Sequence, residues 1–504
     1  MNSRLVSSAL AVVLTLVAGC GYDGDSASPT PHPETPRASG PRGEVSLPEG
    51  AFLTAYGDGA ATFPSDQPGL AAGDFNDDGF DDFVAGARFA DPEGRQDAGA
   101  AYIVFGAADL SGERDFAAGE QDLTILGAGE DDGLGYAAAS GDLDGDGADD
   151  LVLGAPFASG SGAAYIFFGP VASGEIDLAA QAADVTLSLS DQPAALFGDS
   201  LATGDVNGDG TADLLAGAPF SSNPSGVPGG AVFAFFGRTD WSGEVTSPDV
   251  SFFGTDQFDE LGDYVIAADL NGDGVDDIVA TAEAADGPDN ARNTSAEVHA
   301  IFGGTGLSGT YDTSSGTPNL SVYGAAENDT LGFALAAADL DSDGDDDLAM
   351  SARLATPPGG AGSEGIVYIL PGNTKLPNEI DLARPSPDIV TISGTDPGAL
   401  FATSLTDLPP SPHALVLGGS LVDTGGVDAG AVYVLAPGLP ASGAIADLAQ
   451  TTFAGSEVSG HVGSNVVSGD FNGDGQPDLA IVAELESGPD ESRPDAGRVY
   501  LVTP

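Results

Sequence analysis

From about residue 50 onward the chain consists of short apolar stretches separated by clusters of Gly, Asp, Pro and Ser. The apolar runs are too short for helices and are rich in β-branched and aromatic side chains, so they predict strands bounded by turns. No convincing amphipathic helix interrupts them. The clearest series is 101–105, 164–168, 232–236, 298–302, 367–370, 432–435 and 499–502. Each member follows a second apolar run, such as 151–155 or 214–218, and a stretch of small residues, such as 136–140 or 333–338. A turn follows it, Ser111-Gly112-Glu113, Ser173-Gly174-Glu175 or Ser242-Gly243-Glu244, and then a last run such as 124–126, 251–253 or 321–323. This order predicts four strands per unit.

Between the first and second stretches lies an acidic loop of constant spacing. Its marked positions are Asp74, Asn76, Asp78 and Asp82; Asp142, Asp144, Asp146 and Asp150; Asp205, Asn207, Asp209 and Asp213; Asp269, Asn271, Asp273 and Asp277; Asp339, Asp341, Asp343 and Asp347; and Asp470, Asn472, Asp474 and Asp478. Asp407 reads as a seventh register mark that has lost every later acidic position, which sets successive starts 63–70 residues apart. Oxygen side chains at positions 1, 3, 5 and 9, with a Gly at 6 that permits a positive φ, suit one hard cation with many oxygen ligands. That predicts about six structural calcium ions. An EF-hand does not fit, because position 12 is Ala85, Leu153, Ala216, Ala280, Met350 or Ile481 and never Glu.

Seven units of four short strands predict an all-β fold, a seven-bladed β-propeller of four-stranded antiparallel blades. The small residues of each first strand suit the crowded axis of such a ring. The chain stops on what should be a third strand of the seventh unit, and residues 44–56 are placed to supply the missing fourth. The expected domains are a signal peptide at 1–19, a Pro- and Ser-rich tether at 20–43 and the propeller at 44–504.

The marks Leu134-Gly135, Gly154-Ala155-Pro156, Phe197-Gly198 and Gly217-Ala218-Pro219, with the acidic loops between them, resemble the FG-GAP repeat family. That family comprises the N-terminal propeller of integrin α subunits and its bacterial relatives. The resemblance covers roughly residues 50–504 and implies calcium loops on the bottom face and ligand binding on the top. The units drift at Gly86-Ala87-Arg88, Thr281-Ala282-Glu283, Ser351-Ala352-Arg353 and Val482-Ala483-Glu484.

Composition narrows the function. With 78 Asp plus Glu against 13 Lys plus Arg, the net charge of -65 excludes a nucleic-acid binder. Twenty of the carboxylates are loop ligands, and the remainder suits a soluble exposed surface. The one Cys, Cys20, excludes an internal disulfide framework and ends Leu16-Val17-Ala18-Gly19-Cys20, which resembles a bacterial lipobox. Residues 10–17 are the apolar core of a secretory signal. The expectation is an exported monomer held by lipid at Cys20, on the outer membrane or cell surface of a bacterium.

Five arginines, Arg88, Arg95, Arg292, Arg353 and Arg493, fall on or beside the loops between second and third strands. Arg88, Arg292 and Arg353 are candidate ligands for an anionic group. The alternative is local pairing with Asp91, Glu93, Asp289 and Asp495. Phe197-Gly198-Asp199-Ser200-Leu201 contains the GDSL tetrapeptide of an esterase family, but the Asp-x-x-His partner of that family is absent and the residues occupy the unit's own FG place. The sequence reads as a surface recognition or adhesion propeller that binds a protein or glycan and has no catalytic residues. An envelope scaffold lipoprotein and an unrecognised hydrolase are the alternatives.

Overall fold

The computed structural model describes residues 43–504, apart from 60–68, 190–191, 315–317, 385, 410–412, 425, 439, 441 and 490–492. The signal segment 1–19, Cys20 and nearly all of the tether 20–43 lie outside the described residues. The described chain builds seven sheets of five strands each. In the first blade Leu70–Gly73, Asp82–Ala87, Ala100–Val104 and Leu123–Leu126 pair antiparallel in chain order. A fifth strand, Gly174–Asp177, lies parallel to the fourth and comes from the next repeat. The first strands of successive blades are neighbours, and Val462–Gly469 of the seventh lies beside Leu70–Gly73 of the first, so the ring closes on itself. Antiparallel order places the first-to-second and third-to-fourth connections on one face, here the lower. The other connections lie on the upper face.

The blades therefore have five strands and not the four expected. The Ser-Gly-Glu segments are strands: Gly112–Asp115, Gly174–Asp177 and Gly243–Val245 each lie along the fourth strand of the preceding blade. Their outward face is exposed and carries Glu113, Glu175 and Glu244. A charged outermost strand keeps a sheet edge from pairing with another chain.

Closure by residues 44–56 is as expected in place and larger in extent. Leu53–Tyr56 is the fourth strand of blade seven, antiparallel to Arg498–Val502, while Glu44–Ser46 is the fifth strand of blade six, parallel to the segment ending at Ala454. Leu47, Leu53 and Ala55 are fully buried. Arg498 braces the junction, donating to Glu486 at 3.0 Å, pairing with Glu457 at 3.3 Å and lying 5.4 Å from the Tyr56 ring centre.

The interior is divided among the blade junctions. Seven apolar clusters each draw on two neighbouring blades. At one junction Phe83 of blade one meets Phe471 of blade seven edge to face, 6.1 Å between centroids. The FG and GAP marks meet across these junctions. A Cβ on Gly86, Gly154, Gly217 or Gly418 would lie 1.9–2.2 Å from the carbonyl oxygen of Gly135, Gly198, Gly262 or Gly463 of the next blade, so only Gly fits. At the fourth junction Thr281 stands in this place and donates its hydroxyl to Gly332 at 2.9 Å.

Candidate functional site

Each acidic loop is a hairpin between the first two strands, wound around its own first residue. One carboxylate oxygen of Asp74, Asp142, Asp205, Asp269, Asp339 or Asp470 accepts the N–H of position 5, and the other accepts that of position 6, at 2.7–3.2 Å. The position-5 carboxylate accepts the N–H of position 7 in every loop, as in Asp146 from Ala148 at 3.0 Å. These bonds turn the oxygens inward. Ligand atoms of Asp142, Asp144 and Asp146 lie within 4.8 Å of one another, as do those of Asp339, Asp341 and Asp343.

Position 9 is buried at the start of the second strand. Asp82, Asp150, Asp213, Asp277, Asp347 and Asp478 are at most 1% exposed. In five of them one oxygen accepts a backbone N–H from the turn after the third strand, Gly106, Gly169, Gly237, Gly303 or Gly372, at 2.8–2.9 Å. At Asp478 the Thr503 hydroxyl donates instead, at 2.6 Å. In three of the four loops with Asn at position 3, its amide donates to position 9: Asn207 to Asp213 at 2.8 Å, Asn271 to Asp277 at 3.0 Å and Asn472 to Asp478 at 2.7 Å. Burial pushes the position-9 carboxyls up, Asp82 to about 8, Asp150, Asp213, Asp277 and Asp347 to about 7, and Asp478 to about 6.

The donor set can hold a hard cation. It is all oxygen, and in the first loop Oδ1 of Asn76 is shut from solvent with no hydrogen-bond partner. A cation would satisfy that atom and offset the crowding of the carboxylates.

Sequence reasoning missed position 8. Its carboxylate leaves its own loop and accepts the N–H of position 1 in the preceding blade: Asp149 from Asp74 at 3.0 Å, Asp276 from Asp205 at 2.9 Å, Asp346 from Asp269 at 3.1 Å and Asp81 from Asp470 at 2.7 Å. The signal was an Asp-Asp pair at positions 8 and 9 in four units, against Ala212 and Pro477 in the other two.

The sixth unit corrects the register given to Asp407. Asp407 lies within the strand Ser404–Leu408 and pairs with Leu415, before the turn and not at its first position. Leu408 pairs with Ala414 where Gly73 pairs with Asp82, so the hairpin is shorter, and His413 meets Asp407 at 2.8 Å.

On the upper face the arginines hold partners other than those expected. Arg95 pairs with Asp177 at 2.7 Å, Arg292 with Asp381 at 2.6 Å and Arg493 with Asp115 at 2.5 Å. Each partner ends a fifth strand supplied by the next repeat, so these arginines clasp the exchanged strands instead of pairing with Asp91, Glu93, Asp289 or Asp495. Arg353 stacks 3.3 Å from the Phe333 ring centre and lies 3.8 Å from Glu283. Arg88 stacks on Phe89 and Tyr136 at 4.3 and 4.7 Å. Of the three candidate ligand arginines, Arg292 is thus occupied by a strand clasp, and Arg88 and Arg353 lie against aromatic rings. Ser200 of the GDSL tetrapeptide is buried and donates to Gly262 at 2.8 Å, holding two blades together. Trp241 is buried and donates to Leu143 at 3.0 Å.

A second feature of the upper face is apolar. The exposed large hydrophobic side chains among the described residues are Phe89, Phe258, Val427 and Val458, 45–65% exposed. All four lie on second-to-third or fourth-to-first connections. Val458 reaches to within 3.0 Å of a Cβ placed on Gly426, next to Val427, so these two form one patch.

Comparison with known proteins agrees with the repeat register. Residues 68–104, 134–167, 197–235, 331–370 and 462–502 match the FG-GAP repeat. Phosphatidylinositol-glycan-specific phospholipase D of Homo sapiens is 32% identical over 40% of this chain and 24% of its own length. Integrin alpha pat-2 of Caenorhabditis briggsae is 29% identical over 44% of this chain and 18% of its own length. Integrin alpha-7 of Rattus norvegicus is 36% identical over 23% of this chain and 9% of its own length. The aligned region spans less than a quarter of each of these relatives. With the FG and GAP glycines in contact between blades and five matched repeats on a seven-bladed ring, the chain carries FG-GAP repeats and is similar to the integrin α chains.

Proposed function

We propose that this chain is a calcium-stabilised recognition or adhesion propeller, exported and lipid-anchored at Cys20 on a bacterial surface, which binds a protein or glycan on its upper face. The observation that carries the reading is the placement of Phe89, Phe258, Val427 and Val458. Among the described residues the exposed large apolar side chains of this strongly acidic protein all lie on the face opposite the acidic hairpins, and Val427 and Val458 adjoin there as a patch that suits an interaction surface. Similarity to integrin α chains supports it. The chain acts by binding and not by turnover. Its likeness to the phospholipase D covers 24% of that protein, and the one serine in an esterase-like tetrapeptide is consumed in packing.

Calcium belongs at the six hairpins, held by positions 1, 3, 5 and 9. When bound it neutralises carboxylates that otherwise repel or take up protons. The residues do the structural work: position 1 winds the loop, position 9 ties it to the segment after the third strand, and in four loops position 8 joins it to the preceding blade.

The test is a pull-down from envelope and matrix extracts with the ring, comparing wild type with the double variant Phe258→Ser, Val458→Ser and with a lower-face control, Phe80→Ser. Loss of captured material in the double variant alone supports the reading; equal capture by all three refutes it. Chelation should lower the melting temperature, and re-added calcium should restore it. An unchanged melt would remove calcium from the account. Replacing Cys20 with Ala should release the protein from membranes, and a variant that stays bound would remove the lipid anchor.

A further inference from the structure

We infer that Asp81, Asp149, Asp276 and Asp346 couple the metal loops of neighbouring blades, so that the six loops fill as two groups of three. The inference rests on the calcium reading above and concerns residues that are not themselves in the ligand set.

Each of these aspartates is a chain neighbour of the position-9 carboxylate of its own loop. Each also holds the backbone N–H of position 1 in the loop before it, at 2.7–3.1 Å. One peptide link and one hydrogen bond therefore separate a ligand of one loop from a ligand of the next. At three junctions the connection is doubled, because the position-8 N–H donates to the position-1 carbonyl: Asp81 to Asp470 at 3.2 Å, Asp276 to Asp205 at 3.1 Å and Asp346 to Asp269 at 2.9 Å. Whatever orders position 1 in one blade orders the start of the second strand in the next. Asp149 lies within Coulombic reach of Asp74 and Asp142, and Asp276 within reach of Asp205 and Asp269, so each strengthens the hold of both loops it touches on a cation. The positive coupling between the loops comes from the shared hydrogen bonds and the ordering they transmit.

The series breaks at three junctions. Between blades two and three position 8 is Ala212, which keeps the backbone bond to Asp142 at 3.1 Å but has no carboxylate. Blade six has no acidic loop. Blade seven carries Pro477, which has neither the carboxylate nor an N–H. The clasped runs are therefore blades seven, one and two, and blades three, four and five. Each run contains three acidic loops.

The experiment uses the full chain, stripped with chelator and titrated with calcium alone, read by calorimetry and equilibrium dialysis. The expected result is six ions bound with a Hill coefficient above unity. Asp149→Ala should leave the ion count unchanged, weaken the first group by roughly fivefold or more and lower the Hill coefficient, since coupling between sites usually amounts to factors of that size. Asp149→Asn, which keeps an acceptor but not the charge, should restore part of the loss. Ala212→Asp should join the two groups and raise the cooperativity. A clasp that is only structural would lower the melting temperature equally with and without calcium and leave the shape of the binding curve alone. Six independent sites in the wild type, or unaltered calcium binding in Asp149→Ala, would overturn the inference while leaving the calcium reading intact. Absence of calcium binding would overturn both.

Discussion

Leu53 offers a direct measure of how firmly the ring is closed. It opens the fourth strand of blade seven, faces Leu501 on one side and Gly112 on the other, and is fully buried. Leu123 has the same place in blade one, opposite Ile103 and Gly174, and is 1% exposed. The two differ in chain connection: Leu123 follows its own blade, whereas Leu53 comes from the other end of the molecule. Replacing a buried Leu with Ala removes its packing and leaves a cavity, at a cost of about 2–5 kcal/mol. For a cooperative unit of this size that corresponds to a fall of roughly 2–5 °C in melting temperature. If the N-terminal segment is an integral strand, Leu53→Ala and Leu123→Ala should lower the melt, read by scanning calorimetry, by similar amounts. Deleting residues 43–58 should cost more, because Leu47, Leu53 and Ala55 leave together, and a synthetic peptide of that sequence should restore part of the loss. A Leu53→Ala protein that melts with the wild type, while Leu123→Ala does not, would refute integral closure.

Further outcomes follow from single contacts. Gly154→Ala would set a methyl 2.1 Å from the Gly198 carbonyl and force two blades apart; a loss of about 1–3 kcal/mol is expected in denaturant titration, and an unchanged midpoint would contradict the packing described. Thr503→Val would leave a buried oxygen of Asp478 without its donor, with an expected cost of about 1–3 kcal/mol in the same assay. Burial raises the Glu486 carboxyl to about 7, although Arg498 and Tyr500 both donate to it and oppose the rise. Because the folded value lies above the unfolded one, its contribution to stability is full at low pH and is lost as pH rises through about 7. Glu486→Gln should therefore gain on the wild type in melting temperature between pH 5 and pH 8; a constant difference across that range would show that the group does not titrate there.

The parts legible in the sequence are those that repeat in phase: blade count, strand order within a unit, the loops and the segment that closes the ring. The fifth strand was not legible because its pairing is with the previous repeat. Gly112–Asp115 is short, half exposed and headed by Gly, so locally it looks like a turn. Missing that exchange also hid the arginine clasps, since Asp115, Asp177 and Asp381 come near Arg493, Arg95 and Arg292 only once the strand has crossed between blades. Asp81, Asp149, Asp276 and Asp346 were concealed for another reason. They sit among other aspartates, and composition cannot distinguish a carboxylate turned toward its own loop from one turned toward its neighbour. Asp407 was misplaced because a shortened hairpin removes the spacing that sets the register.

Closure by the N-terminal segment has a consequence for how the molecule is made. Leu47 and Ser456, 409 residues apart, are joined by a hydrogen bond, and Leu53–Tyr56 waits for Arg498–Val502. A chain delivered from its first residue onward cannot finish blade by blade. Until its last strands have emerged, Glu44–Ser46 has no partner and Leu53–Tyr56 has only the short strand Gly112–Asp115, and long-range pairing of this kind is slow and prone to association. The 78 acidic residues then serve the unfinished chain as well as the finished one: mutual repulsion keeps bare strand edges of separate molecules apart during the wait.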